Sequence, residues 1–202
     1  MKQNSKEGKK FKVILADCPW RYKSKNLKHG GALAHYPTMT IKDIKNLPVS
    51  EIAEDNSVLF LWATFPLLPE ALEVIKSWGF KYKTGGFNWT KFNKKKPTPF
   101  LGCGFYTRSN GEVCLLSTRG KSLPRVSKSV SSVVFSPIAR HSEKPQEVKQ
   151  RIFQLYGDVS RIELFARKRS DDGWKYWGNE VNSDIKFPID TNLAGIEKGE
   201  SK

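Results

Sequence analysis

Asp17-Cys18-Pro19-Trp20 follows directly on the apolar run Phe11-Lys12-Val13-Ile14-Leu15-Ala16. Its residue types suit the gripping of a flat, amino-bearing base. Asp17 can accept from an exocyclic N–H, and Trp20 offers a face for stacking, worth about 1–3 kcal/mol per base. Pro19 fixes φ and removes a donor, which stiffens the turn between them. A plainer reading of the same residues is a strand followed by a proline turn whose Trp is simply core.

A grip of this kind needs a rigid strand end to carry it. The run before Asp17 is short and β-branched and stops at a turn signal, so it reads as a buried central strand. Ser57 to Thr64, Phe80 to Lys91, Glu112 to Thr118, Val130 to Phe135 and Arg161 to Arg167 read as further strands. Thr40, with Asp43 three residues on, resembles a capping box and opens a short helix through Leu47. Pro66 to Trp78 places Leu68, Leu72, Ile75 and Trp78 on one face of a second helix, with Gly79 as its cap. Pro145 opens a third helix with Val148, Ile152 and Leu155 on its apolar face, and Gly157 closes it. Strands alternating with helices indicate an α/β sheet of the doubly wound type, whose ligands bind beyond the strand carboxyl ends. Asp17, Lys91, Arg119 and Arg167-Lys168-Arg169 stand at such ends, which predicts one crevice lined from several strands.

The chain has 202 residues, enough for one good core, and 38% of them are hydrophobic, which excludes a disordered polypeptide. Lys and Arg number 35 against 20 Asp and Glu, a net charge of +15. That excess points to a polyanionic partner bound through phosphate contacts and counterion release. The loop residues Lys94, Lys95 and Lys96, with Arg119, Lys121, Arg125 and Lys128, are expected to flank the crevice and track a backbone, positioning rather than specifying. Cys18, Cys103 and Cys114 are odd in number and lack a C-x-x-C, so neither a disulfide framework nor a zinc ribbon is indicated. His29 and His35 lack metal-ligand spacing, so no metal is expected. The first residues are polar and basic, unlike a signal peptide, and no apolar run approaches spanning length. A cytoplasmic location is the expectation.

Several fragments recur in a fixed order: ADCPW (16–20), Tyr36-Pro37-Thr38-Met39, LFLWAT and the later SWGF, then FNWTK and EVCLLSTRG. HSEKP (141–145), IELFAR and Trp177-Gly178-Asn179 complete the set. Together they resemble the adenine N-6 methyltransferases of the eukaryotic mRNA (MT-A) type, which have bacterial and phage relatives acting on DNA. The resemblance implies a Rossmann-like S-adenosylmethionine-dependent methyltransferase fold, a mostly parallel sheet flanked by helices. It implies methylation of the adenine amino group in DNA; the alternatives are the same reaction on RNA, or an inactive nucleic-acid-binding subunit. The expected organisation is a flexible basic arm (1–10), a methyltransferase domain (11–185) and a tail (186–202), working alone or as a homodimer or heterodimer.

The resemblance also implies roles for named residues. Asp17 and a backbone carbonyl near Cys18 or Pro19 would accept the two amino N–H bonds, and Trp20 with Tyr36 would stack the base. The family signature is D-P-P-W, and Cys18 stands in place of its first proline. Asp17 would also border the cofactor, Lys144 would pair with the methionine carboxylate, and Glu163 would accept from ribose hydroxyls or a neighbouring cation. Arg167 follows on the strand end, and Asn179 with Glu180 would meet the adenosine. His141 reads as an orienting or packing residue. Plainer readings stand beside these: Lys144 as a surface lysine at a helix start, and Glu163 with Arg167 as a structural ion pair.

Overall fold

The computed structural model describes residues 9–21, 38–104, 106–139 and 143–187. Tyr36, His29, His35 and His141 lie outside the described residues, as does nearly all of the expected arm and tail.

Strand β1 (Phe11–Ala16) is buried along its length except at Lys12, because both faces of the sheet are covered there. Ile14 and Ala16 face one core with Leu59, Leu61 and the helix residues Ile44, Val74 and Trp78. Val13 and Leu15 face the other, with Phe60, Trp62, Val148 and Ile152. The remaining strands are β2 (Ala53–Ala63), β3 (Lys81–Phe92), β4 (Gly111–Arg119), β5 (Val133–Pro137), β6 (Arg161–Leu164) and β7 (Lys175–Trp177). They form one sheet in the order β5-β3-β4-β2-β1-β6-β7. Among the described residues β4 alone runs against the other six. The architecture is a mixed α/β sheet, mostly parallel as the resemblance implied.

Helix α1 (Ile41–Asn46) starts where the capping signal puts it: Thr40 Oγ1 accepts from the Asp43 N–H at 3.2 Å and donates to its carboxylate at 2.6 Å. A short α2 (Val49–Ile52), which the sequence pattern did not announce, leads into β2. Helix α3 (Leu68–Ser77) buries Ala71, Val74 and Ile75, while Leu72 is exposed. Its inward face is therefore rotated from the expected one. Trp78, fully buried, donates its indole N–H to the Ile44 carbonyl at 2.9 Å and ties α1 to α3. Helix α4 (Glu147–Tyr156) ends at Gly157, whose φ of 72° is ordinary only for glycine.

The last long strand expected, Arg161 to Arg167, stops early at Leu164. Phe165 adopts a φ of 61°, a left-handed conformation that costs an L-residue roughly 1–2 kcal/mol. Its ring packs edge-on against Trp177 at 5.3 Å, and the Ala166 N–H bonds to the Trp177 carbonyl at 2.9 Å. Gly178 follows, where an added Cβ would sit 2.3 Å from the Ala166 carbonyl oxygen. No side chain fits there. No helix among the described residues is long and apolar enough to cross a membrane.

Replacing Trp78 by Ala removes a fully buried indole and its hydrogen bond. The expected loss is about 3–5 kcal/mol, read as a fall in the urea unfolding midpoint. A loss under about 1 kcal/mol would contradict this account of how α1 and α3 are joined.

Candidate active site

The period-two alternation of strands gathers the site on one face. Leu15 faces α4, so Asp17, two residues on, points the same way. Leu15 is opposite Glu163 across β1 and β6. Trp62 is opposite Cys114, and Trp89 opposite Glu112. Glu112, Lys91 and Trp62 thus share that face with Asp17 and Glu163. The segment entering α4 lays Lys144 across them, and the first turn of α4 adds Lys149.

The result is a cavity of about 350 Å³ walled by Asp17, Lys144, Lys149, Glu163, Arg167 and Glu180, with Leu15, Trp62, Val148 and Phe165 as its apolar surface. Its size suits a small organic ligand. At one end Lys144 Nζ lies 2.9 Å from Asp17 Oδ2 and 3.2 Å from Glu112 Oε2. Lys91 Nζ takes the other Glu112 oxygen at 2.5 Å and lies 4.7 Å above the Trp89 ring. Two cations therefore face two anions.

Their titration follows from this arrangement. Burial pushes the Asp17 carboxyl above its ordinary value, and Lys144 offsets that only in part. Burial also acts on Glu112, but Lys144 and Lys91 together overcome it and hold that carboxyl low. For Lys144, burial works against the charge, yet Asp17 and Glu112 raise its affinity for the proton. It stays a cation.

The predicted residues are not all assembled. Asp17, Lys144, Glu163, Arg167 and Glu180 meet in the cavity, and Asn179 stands exposed beside it. Lys144 is a partly buried lysine in the cavity wall rather than a surface one. Glu163 pairs with Lys149 at 2.5 Å, whereas Arg167 pairs with Glu180 at 2.9 Å, so the expected Glu163–Arg167 pair is replaced by two others. Trp20 is 5% exposed and donates to the Trp62 carbonyl at 3.2 Å. In this structure it is core and not an open stacking face. Cys18 is buried beside it, and burial, then Asp17, pushes its thiol well up, so it stays neutral. The Cys18 carbonyl accepts from the Trp20 N–H at 2.8 Å, and that of Pro19 from the Met39 N–H at 2.9 Å. A carbonyl has two lone pairs, so either can accept once more.

Lys95 lies in the loop after β3, at the same sheet end as Asp17. Arg119 and Lys121 do not. Because β4 is antiparallel, Arg119 pairs with Ser57 near the start of β2 and donates to the Ser50 carbonyl at 2.7 Å. The Lys121 N–H bonds to Asn56 Oδ1 at 2.7 Å. The expectation that both flank the crevice is corrected: they stand at the opposite end. Glu112, at the start of β4, is what that strand brings to the site, and sequence reasoning missed it. A lone acid opening an otherwise apolar strand was the available signal.

Glu112 has a lowered folded value, so it adds stability above its unfolded value near 4.5, lost as pH falls through the folded value. Glu112→Gln should cost about 3–5 kcal/mol at neutral pH. The gap to the parent protein should narrow in acid, measured by urea unfolding across the pH range. A gap that widened on acidification would contradict the assignment.

Comparison with known proteins agrees with this geometry. The MT-A70 family model matches residues 11–180. The type II methyltransferase M.MunI of a Mycoplasma species is 34% identical over 91% of this chain and 82% of its own. The MT-A70-like N(6)-adenosine-methyltransferase of Arabidopsis thaliana is 26% identical over 85% of this chain and 24% of its own. For the N(6)-adenosine-methyltransferase catalytic subunit METTL3 of Homo sapiens the figures are 25%, 86% and 28%. The chain thus spans about a quarter of these last two relatives and most of the first. It belongs to the MT-A70 family of adenine N-6 methyltransferases.

Proposed function

We propose that the chain methylates the exocyclic amino group of adenine in DNA, giving N-6-methyladenine, with S-adenosylmethionine as donor. One observation carries the reading: the Asp17 carboxylate, fixed by Lys144, stands where the strand end meets the cavity. The cavity's donor set fits an amino-acid sulfonium nucleoside. Lys144 offers a cation for a carboxylate, Glu163 offers acceptors for ribose hydroxyls, and Leu15 and Phe165 offer apolar surface. Bound there, S-adenosylmethionine supplies an electrophilic methyl group.

The chain's own residues act on the acceptor. An adenine amino lone pair is conjugated into the ring and is a poor nucleophile. Asp17 Oδ1 and the Cys18 or Pro19 carbonyl would accept its two N–H bonds and localise the lone pair on nitrogen. Lys144 holds Asp17 oriented and favours its ionised form before substrate arrives. This is electrostatic preorganisation, with positioning supplying most of the rest. Lys94 to Lys96, following β3 on the same sheet end, would meet phosphates.

DNA is preferred because the chain matches most of a type II methyltransferase, against about a quarter of the adenosine methyltransferases. Transfer of labelled methyl should occur on DNA oligonucleotides, with N-6-methyladenine identified by mass spectrometry. Asp17→Ala should lower the rate by about 10²–10³-fold while donor binding, followed by calorimetry, stays largely intact. Transfer to RNA alone would reassign the substrate. Nucleic-acid binding without transfer to any substrate would favour a non-catalytic subunit.

A further inference from the structure

One group beneath the cavity has a placement that methyl transfer leaves unexplained. Lys149 sits in the first turn of α4, where the helix dipole disfavours a cation, and its side chain is only 8% exposed. A buried charge is costly unless paired and hydrogen-bonded. Its ammonium lies 2.5 Å from Glu163 Oε2 and 3.4 Å from Asp172 Oδ2. The Tyr176 hydroxyl is 3.3 Å away, and the Tyr176 ring lies 4.7 Å beneath.

The two carboxylates depend on Lys149 unequally. Asp172 accepts from the Tyr176 hydroxyl at 2.5 Å, from Ser170 Oγ at 2.7 Å and from the Trp174 N–H at 3.2 Å. Those donors satisfy it without help. Glu163 lines the cavity wall, and Lys149 is the cation brought within ion-pair reach of it. The charged and titratable groups around Glu163 are Lys149 and Lys144 from α4 and its approach, Asp172 and Tyr176 from the β7 side, Asp17 from β1, and Arg167 beyond β6. Burial raises the Glu163 carboxyl above its ordinary value, Asp17 and Asp172 push the same way, and Lys149 is the neighbour that favours its charge.

We propose that Lys149 is a positioning residue for Glu163: from below the cavity it holds that carboxylate ionised and in one orientation, ready to accept the two vicinal hydroxyls of a ribose. Glu163 Oε2 is buried against Lys149, so Oε1 is the oxygen left to meet a diol; in the ionised carboxylate its lone pairs only accept, whereas protonation brings a donor and reduces acceptor capacity. The inference rests on reading the cavity as the S-adenosylmethionine site, and it assigns the residue that keeps that site's ribose acceptor charged and oriented.

The test uses the full chain, with Glu163 titrated through its carboxyl carbon by NMR and S-adenosylhomocysteine binding followed by calorimetry over the same pH range. In Lys149→Met the Glu163 midpoint should rise by about one pH unit or more. Relative to the parent, affinity should fall by up to about tenfold as pH drops below the new midpoint and recover as pH rises past it. Lys149→Arg should keep both close to the parent. Should the Met variant fail to fold, Lys149→Gln, which keeps a donor but drops the charge, carries the same expectation. An unmoved Glu163 midpoint, or an affinity loss that does not vary with pH, would overturn the assignment and leave Lys149 a packing residue. A parent protein that binds no S-adenosylhomocysteine would sink the cofactor reading, while the titration still decides what Lys149 does.

Discussion

The site hangs on one ammonium shared between two carboxylates. Lys144 bridges Asp17, at the end of β1, and Glu112, at the start of β4, and Lys91, near the end of β3, completes the balance. Each ion alone would be expensive to bury; together they neutralise one another in a confined, weakly screened space. That requirement fixes the sheet register, since a one-residue slip of any contributing strand would turn its charged side chain to the opposite face. Polar geometry and strand pairing are here a single constraint.

Much of this was legible in the residues. The run before Asp17 folds as an interior strand over the limits its pattern gave, and the capping signal at Thr40 and the glycine at 157 mark real helix ends. Other features were hidden for physical reasons. Residues 93–110 separate two strands without any helical period, and parallel neighbours need a long crossover, usually helical. That absence pointed to an antiparallel β4, but reading strand ends by type alone put Arg119 at the crevice and overlooked Glu112. Trp20 could stack or pack, and composition does not distinguish an aromatic on a cavity wall from one inside it. Lys149 sits among Val148, Ile152 and Tyr156 on a buried helix face, where a lysine is the odd residue and therefore the clue.

Cys18 shows how a departure from the family signature is accommodated. The side chain is a small buried thiol within the core that holds Trp20, Ile44 and Leu61, and its backbone carbonyl survives the exchange. The rigidity a proline would bring is partly supplied by the bridge between Trp20 and Met39. On the other side of the cavity, Phe165 performs a comparable task by its backbone. Its left-handed turn ends β6 and swings Arg167 to the rim.

The strand order has a consequence in time. A growing polypeptide makes β1 first, yet β1 is flanked by β2 and by β6, and Asp17 meets Lys144 across 127 positions. Domains generally fold as units during synthesis, and here the unit cannot close until β1 receives β6, which is made much later. Until residues 161–164 leave the ribosome, β1 keeps an open edge of the kind that invites pairing with other chains. The nascent protein therefore carries Asp17 unclosed until β6 has been made, and that stage is the one most in need of chaperone cover.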